Sequence, residues 1–217
     1  MKQIWKQTWR QRLAAALIQL LMVLAMAGVG IRMPVQAAEK NAVTQSGEMK
    51  VHFLDVGQGL SILAQSEGKT MIYDGGDRKT SRFVVSYLKE HGVSKIDYLI
   101  SSHYDADHMA GLIGCLNAFD VKNVISSNYV HTSKLYQSFV KAVKSDGLKM
   151  QHPAVGKTYK FGRGSFEILA PKTIEAKGSN NNSVAIKLMN GENSFVFTGD
   201  AEHESEAAMC NSGIDLS

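Results

Sequence analysis

The segment Ile96-Asp97-Tyr98-Leu99-Ile100-Ser101-Ser102-His103-Tyr104-Asp105-Ala106-Asp107-His108 begins as a short, mostly apolar strand and ends in four potential metal ligands within six residues. Met109, Leu112, Ile113 and Leu116 follow at helical spacing. Imidazole nitrogens and carboxylate oxygens are the donors of hydrolytic zinc and manganese sites. Ligands packed into one turn cannot all reach a single ion, and alternate residues point different ways. His103 and Asp105 therefore suit one ion, and Asp107 and His108 a neighbouring one. Helix capping by Asp105 or Asp107 explains one aspartate, but not two aspartates and two histidines together.

Outward from this loop, strands and helices alternate. Met49 to Val56, Ser61 to Ala64 and Thr70 to Tyr73 read as a meander, with a hairpin at Ser66-Glu67-Gly68 and a turn at Asp74-Gly75-Gly76. Phe83, Val84, Tyr87 and Leu88 mark a helix closed by Gly92. Val124 to Ser126 is a strand, and Leu135, Phe139, Val140 and Val143 mark the next helix. The pattern then returns to strands at Thr158 to Phe161, Ser165 to Leu169, Val184 to Leu188 and Ser194 to Thr198, the last pair joined through Asn190-Gly191. A helix from about Glu202 to Cys210 completes the series. Sheets covered by helices, an α/β layered sandwich, are expected.

The charge balance separates the ends of the chain. There are 24 Lys+Arg and 20 Asp+Glu in 217 residues, and the first 37 hold Lys2, Lys6, Arg10, Arg12 and Arg32 with no acid. Residues 38–217 carry 19 basic and 20 acidic side chains, net −1, so the basic pI is no sign of a nucleic-acid-binding surface. Leu13 to Ile31 is apolar apart from Gln19 and small residues, and Val35-Gln36-Ala37 offers a cleavage site. Residues 1–37 are expected to be an export signal or an uncleaved membrane anchor, 38–48 a linker, and 49–217 one domain, placed outside the cell or on the outer face of the plasma membrane. Two cysteines, Cys115 and Cys210, exclude a disulfide scaffold. Cys115 reads as a buried small hydrophobe, and nothing in the sequence pairs it with Cys210. Lys134, Lys141 and Lys144 read as a solvated helix face.

His103-x-Asp105-x-Asp107-His108 after a strand resembles the His-x-His-x-Asp-His signature of the metallo-β-lactamase superfamily, with Asp105 in place of the second histidine. Phe53 to Gly59, Tyr73-Asp74-Gly75-Gly76, Asn181-Asn182-Ser183 and Phe197 to Glu202 are similar to its ComEC branch, the hydrolase domain of bacterial DNA-uptake channels and its secreted relatives. The resemblance implies a metallo-β-lactamase-like αββα four-layer sandwich. It also implies two divalent ions, zinc or manganese, held by His103, Asp105, Asp107, His108 and a bridging Asp200. Asp107 and Asp200 would be catalytic, Asp107 orienting the attacking water, while Asp55 and Asp74 would accept hydrogen bonds that fix ligands and loops. Asn181, Asn182 and Ser183 could contact substrate or form an Asx turn. The implied activity is hydrolysis of a phosphodiester, extracellular DNA among the candidates, with membrane association through the N-terminal segment and no protein partner.

Two departures temper this expectation. Neither His131 nor His152 matches the histidine that many members place between the first motif and the Gly-Asp motif, and His203 reads as solvated. Members also continue into a strand and a Gly-His-His-Gly-Ser type loop where Ile214 to Ser217 stand. The domain is therefore expected to lack its C-terminal strand and helix and the last ligand of the second ion. The alternative function is a catalytically impaired remnant with weak or no metal binding.

Overall fold

The computed structural model describes residues 47–175 and 179–217, so the expected export signal, 1–37, and most of the linker lie outside the described residues. The first sheet has six strands in the order β1-β2-β3-β5-β7-β8. These are β1 (Met49–Phe53), β2 (Ile62–Ser66), β3 (Lys69–Tyr73), β5 (Tyr98–Ser101), β7 (Val124–Ser126) and β8 (Met150–Gln151). The first three are antiparallel; β3, β5, β7 and β8 run parallel. The second sheet is antiparallel, β12-β11-β10-β9, from β9 (Thr158–Phe161), β10 (Gly164–Ala170), β11 (Ala185–Asn190) and β12 (Asn193–Phe197). A two-stranded ribbon pairs β4 (Lys95–Ile96) with β6 (Asp120–Val121).

Period-two alternation distributes each central strand between two cores. Ile62, Ala64, Met71, Tyr73, Ile100 and Ile125 face the second sheet and meet Phe166, Ile168, Ile186, Leu188 and Phe197. Their neighbours Leu63, Ile72, Leu99 and Val124 face outward against three helices, α1 (Ser81–Glu90), α2 (Ala106–Ala118) and α3 (Lys134–Ser145). Val84 and Leu88, Leu112, Cys115 and Leu116, and Phe139 and Val143 are the helical side of that core. A fourth helix, α4 (His203–Cys210), covers the outer face of the second sheet through Met209 against Leu169, Ala170 and Ala185. The result is the expected helix–sheet–sheet–helix order. Each fully buried Leu, Ile or Phe contributes about 1.5–3 kcal/mol to holding these layers together.

Some boundaries differ from the sequence reading. The strand expected over 96–101 is interrupted at Asp97, whose carboxylate is buried and receives Lys69 Nζ at 2.9 Å and the Thr70 amide at 3.1 Å. β1 stops at Phe53 rather than Val56. The two-residue strands β6 and β8 are too short to show a period. At the last hairpin Asn190 pairs with Asn193, so Gly191, with φ +64°, is the first central residue of the turn. Cys115 is buried, its thiol pushed up to about 12 by loss of solvent, and Cys210 is exposed; both are free.

Parallel strands set the position of the site. Ligand-bearing loops in such sheets lie beyond the carboxyl ends of the strands. Here the turn after β3, the 102–108 loop after β5 and the turn after β12 meet at that end.

Candidate metal centre

His103 leaves β5 fully buried, and His108 follows in the first turn of α2, 2% exposed. Their rings are tilted against each other, centroids 4.2 Å apart. Asp200 comes from the opposite sheet, and its Oδ1 lies 3.1 Å from His108 Nε2. One donor atom from each of His103, His108 and Asp200 falls within 4.8 Å of the others, the one such cluster among the described residues. The Asp105 carboxylate is near its edge, Oδ2 at 3.7 Å from His103 Nε2.

Asp74 explains why both histidines present the same nitrogen. It is fully buried, and its Oδ1 accepts the Ser102 amide at 2.8 Å. Its Oδ2 accepts the Ser102 hydroxyl at 2.6 Å and His108 Nδ1–H at 2.8 Å. With its proton committed to Asp74, Ser102 Oγ must accept from His103 Nδ1–H at 2.9 Å. One carboxylate therefore fixes both tautomers, leaving Nε2 of each ring as a lone-pair donor. His103 Nε2 is buried and has no hydrogen-bond partner. A buried acceptor without a donor is costly, and a cation in this cluster relieves that cost. The two imidazoles and one carboxylate thus fit a zinc-like or manganese-like ion.

Electrostatics separate the two rings. Burial holds His103 below the ordinary imidazole range, against the pull of the Asp74, Asp105 and Asp200 charges. Burial acts on His108 as well, but the Asp74 hydrogen bond and charge outweigh it, with Asp200 and Asp107, and raise its proton affinity. Without a metal ion, a proton on His108 Nε2 would bridge to Asp200.

Two glycines allow the loops to close on this point. Gly59, φ +102°, lies against the first turn of α2; any side chain there would collide with the Asp107 carbonyl, which accepts the Leu60 amide at 3.3 Å. Gly199, φ +58°, turns the chain out of β12 against Ser102 and Ser183 and delivers Asp200. Further backbone bonds join the same pieces: Gly75 N to His108 O at 2.7 Å, Gly111 N to Gly76 O at 3.0 Å, and Val184 N to Ser102 O at 2.8 Å. Asp74 itself holds a positive φ of +58°, a strain typical of positions that the surrounding structure over-determines.

The other residues singled out from sequence fall at varying distances. Asp107 is half-buried on the first turn of α2, outside the three-donor cluster. Asp55 is exposed and accepts the Gly57 amide at 3.2 Å, a turn contact. Asn182 is buried in a short 3₁₀ turn, Asn180–Asn182, and bonds both the amide and the carbonyl of Glu175. Asn181 accepts the Glu202 amide at 3.0 Å, and Ser183 Oγ lies 3.3 Å from His103 Nδ1. His131 bonds Ser133 and His152 bonds the Ser126 carbonyl, both outside the cluster; His203 is exposed on α4. Ser102 and Tyr129 were not singled out. A small hydroxyl residue at the buried end of β5, directly before His103, was the available signal for Ser102. Tyr129 had none: its phenol accepts the Tyr104 amide at 3.0 Å and bonds Ser179, a contact between distant segments.

Residues 54–215 match the family model described as the metallo-beta-lactamase superfamily. Recombination protein 2 of Haemophilus influenzae is 30% identical over 162 residues, 72% of this chain and 19% of that protein. ComE operon protein 3 of Bacillus subtilis is 25% identical over 185 residues, 76% of this chain and 24% of that protein. Competence protein ComA of Neisseria gonorrhoeae is 22% identical over 163 residues, 75% and 21% of the two chains. The chain thus spans about a fifth to a quarter of the length of these curated relatives. Among solved structures, a Cronobacter sakazakii metallo-beta-lactamase with a HARLDQ motif aligns at a TM-score of 0.50 and 13% identity, covering 68% of this chain and 58% of that one, a likeness of fold. With a matched family model across most of its length and a His–His–Asp cluster where the sheets meet, the chain belongs to the metallo-beta-lactamase superfamily and is a distant homologue of the ComEC, Rec2 and ComA competence proteins.

Proposed function

We propose that this protein is an exported metal-dependent hydrolase acting on phosphodiesters. Superfamily membership supports a hydrolase, and the curated relatives, named for recombination and competence, favour nucleic acid as the substrate. The observation that carries the reading is the convergence of two imidazole nitrogens whose tautomers Asp74 sets, His103 Nε2, which has no hydrogen-bond partner, and His108 Nε2, 3.1 Å from Asp200 Oδ1. Export rests on the first 37 residues, basic and then apolar.

His103, His108 and Asp200 would hold one divalent ion, zinc or manganese, with Asp105 at its edge. A second ion, left to Asp107 and Asp105 with the shared Asp200, would be held weakly. A bound ion would supply Lewis acidity toward a phosphoryl oxygen and lower the pKa of a nearby water. The chain supplies the rest. Asp74 and Ser102 keep the imidazoles in one orientation, so that no donor N–H faces the ion. Asp107 is assigned to orient the attacking water and accept its proton, and Asp200, 44% exposed, is the one donor of the three that faces solvent. Water adds through oxygen to phosphorus, the ester P–O bond breaks, and the leaving oxygen takes up a proton. Burial of His103, His108 and Asp74 keeps water from competing for those hydrogen bonds.

Turnover of bis-p-nitrophenyl phosphate with added zinc or manganese, compared between the native chain and His108→Ala, tests this reading. Hydrolysis abolished by the substitution is expected. Absence of turnover in the native chain with the ion bound would sink the phosphodiesterase assignment.

A further inference from the structure

We infer that the helical face carries a second, separate anion site, a basic cavity that takes phosphate groups of a polyanionic strand. The cavity, about 590 Å³, lies where α1, α2 and α3 meet and is lined by Arg78, Arg82, Lys134, Ser81, Asn117 and Ser138. Its cations are unbalanced: the lining holds three basic side chains and no carboxylate, and none of the three makes an ion pair among the described residues. Lys134, part of a solvated face in the sequence, acquires its meaning from Arg78, on the turn before α1, and Arg82, in the first turn of α1, which line the same cavity.

A cavity of about 580 Å³ at the opposite end of the strands shows the contrast. Three lysines line it too, but Lys50 pairs with Glu48 at 3.7 Å, and Lys69 and Lys95 pair with Asp97 at 2.9 and 3.1 Å. Every lysine there has a carboxylate partner; the cations of the helical cavity have none among the described residues.

The helix starts that carry two of these cations point the same way, although α3 is capped by Ser133 Oγ, which accepts the Tyr136 amide at 3.1 Å. Helix N-termini favour acidic residues, because their free amides and macrodipole are positive. Here α1 and α3 both open without an acid in the first turn, and each places a cation there, Arg82 and Lys134. The N-cap of α1, Thr80, makes no side-chain capping bond, so the first amides of that helix lack one partner type they usually have. An anion in the cavity would offset the repulsion at both helix starts.

A strand is favoured over a free ion by position. α2 carries His108 at its start and Gly114 in the cavity wall, about 9 Å along the helix at roughly 1.5 Å per residue. Six residues also turn the cavity wall about 240° around the helix from the His108 face, so a strand several nucleotides long, rather than a single ester, is what would place one phosphate at the metal centre and another in the cavity. This inference rests on the phosphodiester reading of the metal centre, and its test is separable from that reading.

The full chain, kept in chelator so that nothing is hydrolysed, is titrated with a fluorescent short oligothymidylate and, separately, with inorganic phosphate. Arg78→Gln/Arg82→Gln/Lys134→Gln is expected to bind the oligonucleotide at least about tenfold more weakly. Its log K against log salt should be shallower by about 2, as roughly 0.7 per phosphate contact on a single strand implies. The single variant Lys134→Gln should show a smaller change in the same direction, and turnover of bis-p-nitrophenyl phosphate, too small to span both places, should be unchanged in either variant. Unaltered affinity and salt dependence in the triple variant would overturn the inference. So would tight binding of inorganic phosphate with no gain from the strand. Weakened strand binding in a protein that hydrolyses nothing when metal-loaded would uphold the cavity and sink the hydrolase reading instead.

Discussion

The two sheets contribute to the metal centre in different ways. From the turns that leave the first sheet and the start of α2 come Asp74, Ser102, His103 and His108, all buried and joined by four hydrogen bonds between 2.6 and 2.9 Å. From the second comes Asp200, 44% exposed, on a turn whose position depends on Gly199. The first half is pre-organised: its rotamers and tautomers are fixed before any ion arrives. The second can adjust. The difference teaches that affinity and stability are separable here, because the same carboxylate type does structural work in one half and ligand work in the other.

Removing Asp74 should have the largest effect. Asp74→Ala leaves the Ser102 amide, the Ser102 hydroxyl and His108 Nδ1 buried without an acceptor, and a loss of about 3–5 kcal/mol is expected in urea denaturation. A loss below about 1 kcal/mol would mean that the first half is not the rigid one. Asp200→Ala should do the reverse. Stability is expected to stay within about 0.5 kcal/mol, as for other exposed positions, while zinc affinity measured by competition with a chelator falls on the order of a hundredfold or more. Equal losses of stability in the two variants would erase the distinction between the halves.

Asp97 sharpens the comparison from the far end of the sheet, where a buried carboxylate has no ligand role. Burial opposes its ionisation, but Lys69, the Thr70 amide and Lys95 outweigh that and hold the carboxyl below its ordinary value. A depressed acid stabilises the fold above its unfolded pKa, near 3.9, and that contribution disappears as pH falls through the folded value. Asp97→Asn should therefore cost about 1–3 kcal/mol at pH 7 and progressively less as pH falls below about 4. Metal affinity at pH 7 should be unaffected. A penalty that persists undiminished in acid would show that packing, rather than charge, is what Asp97 supplies.

Much of this was legible in the sequence because it is local. The 103–108 ligand loop sits within a few residues of the strand and helix that position it, and the apolar, strand-forming runs that became β2, β3 and β5 are legible as strands, although which core each side chain enters is not. Asp97 reads in sequence as one residue of a continuous strand, since its partners Lys69 and Thr70 are 28 and 27 residues away. Lys187 shows the same limit. It stands in an apolar run, yet it is buried on the outer face of the second sheet with Nζ donating to the Asp215 carbonyl at 2.8 Å, a contact no period announces. Asp74 was recognised as a candidate near the site, but its double hold on Ser102 and His108 depends on residues 28 and 34 positions further on. Asp55 illustrates the converse, an aspartate in a recognisable motif whose visible contact is a turn amide.

The central claim is that Asp74 presets a site for one tightly bound ion on His103, His108 and Asp200. Metal content per chain after exhaustive dialysis of zinc-loaded protein, measured in parallel on His108→Ala, tests it most directly. The account predicts about one zinc per native chain, since three donors converge, and none on the variant. Equal zinc content in the two proteins, or none in either, would contradict it.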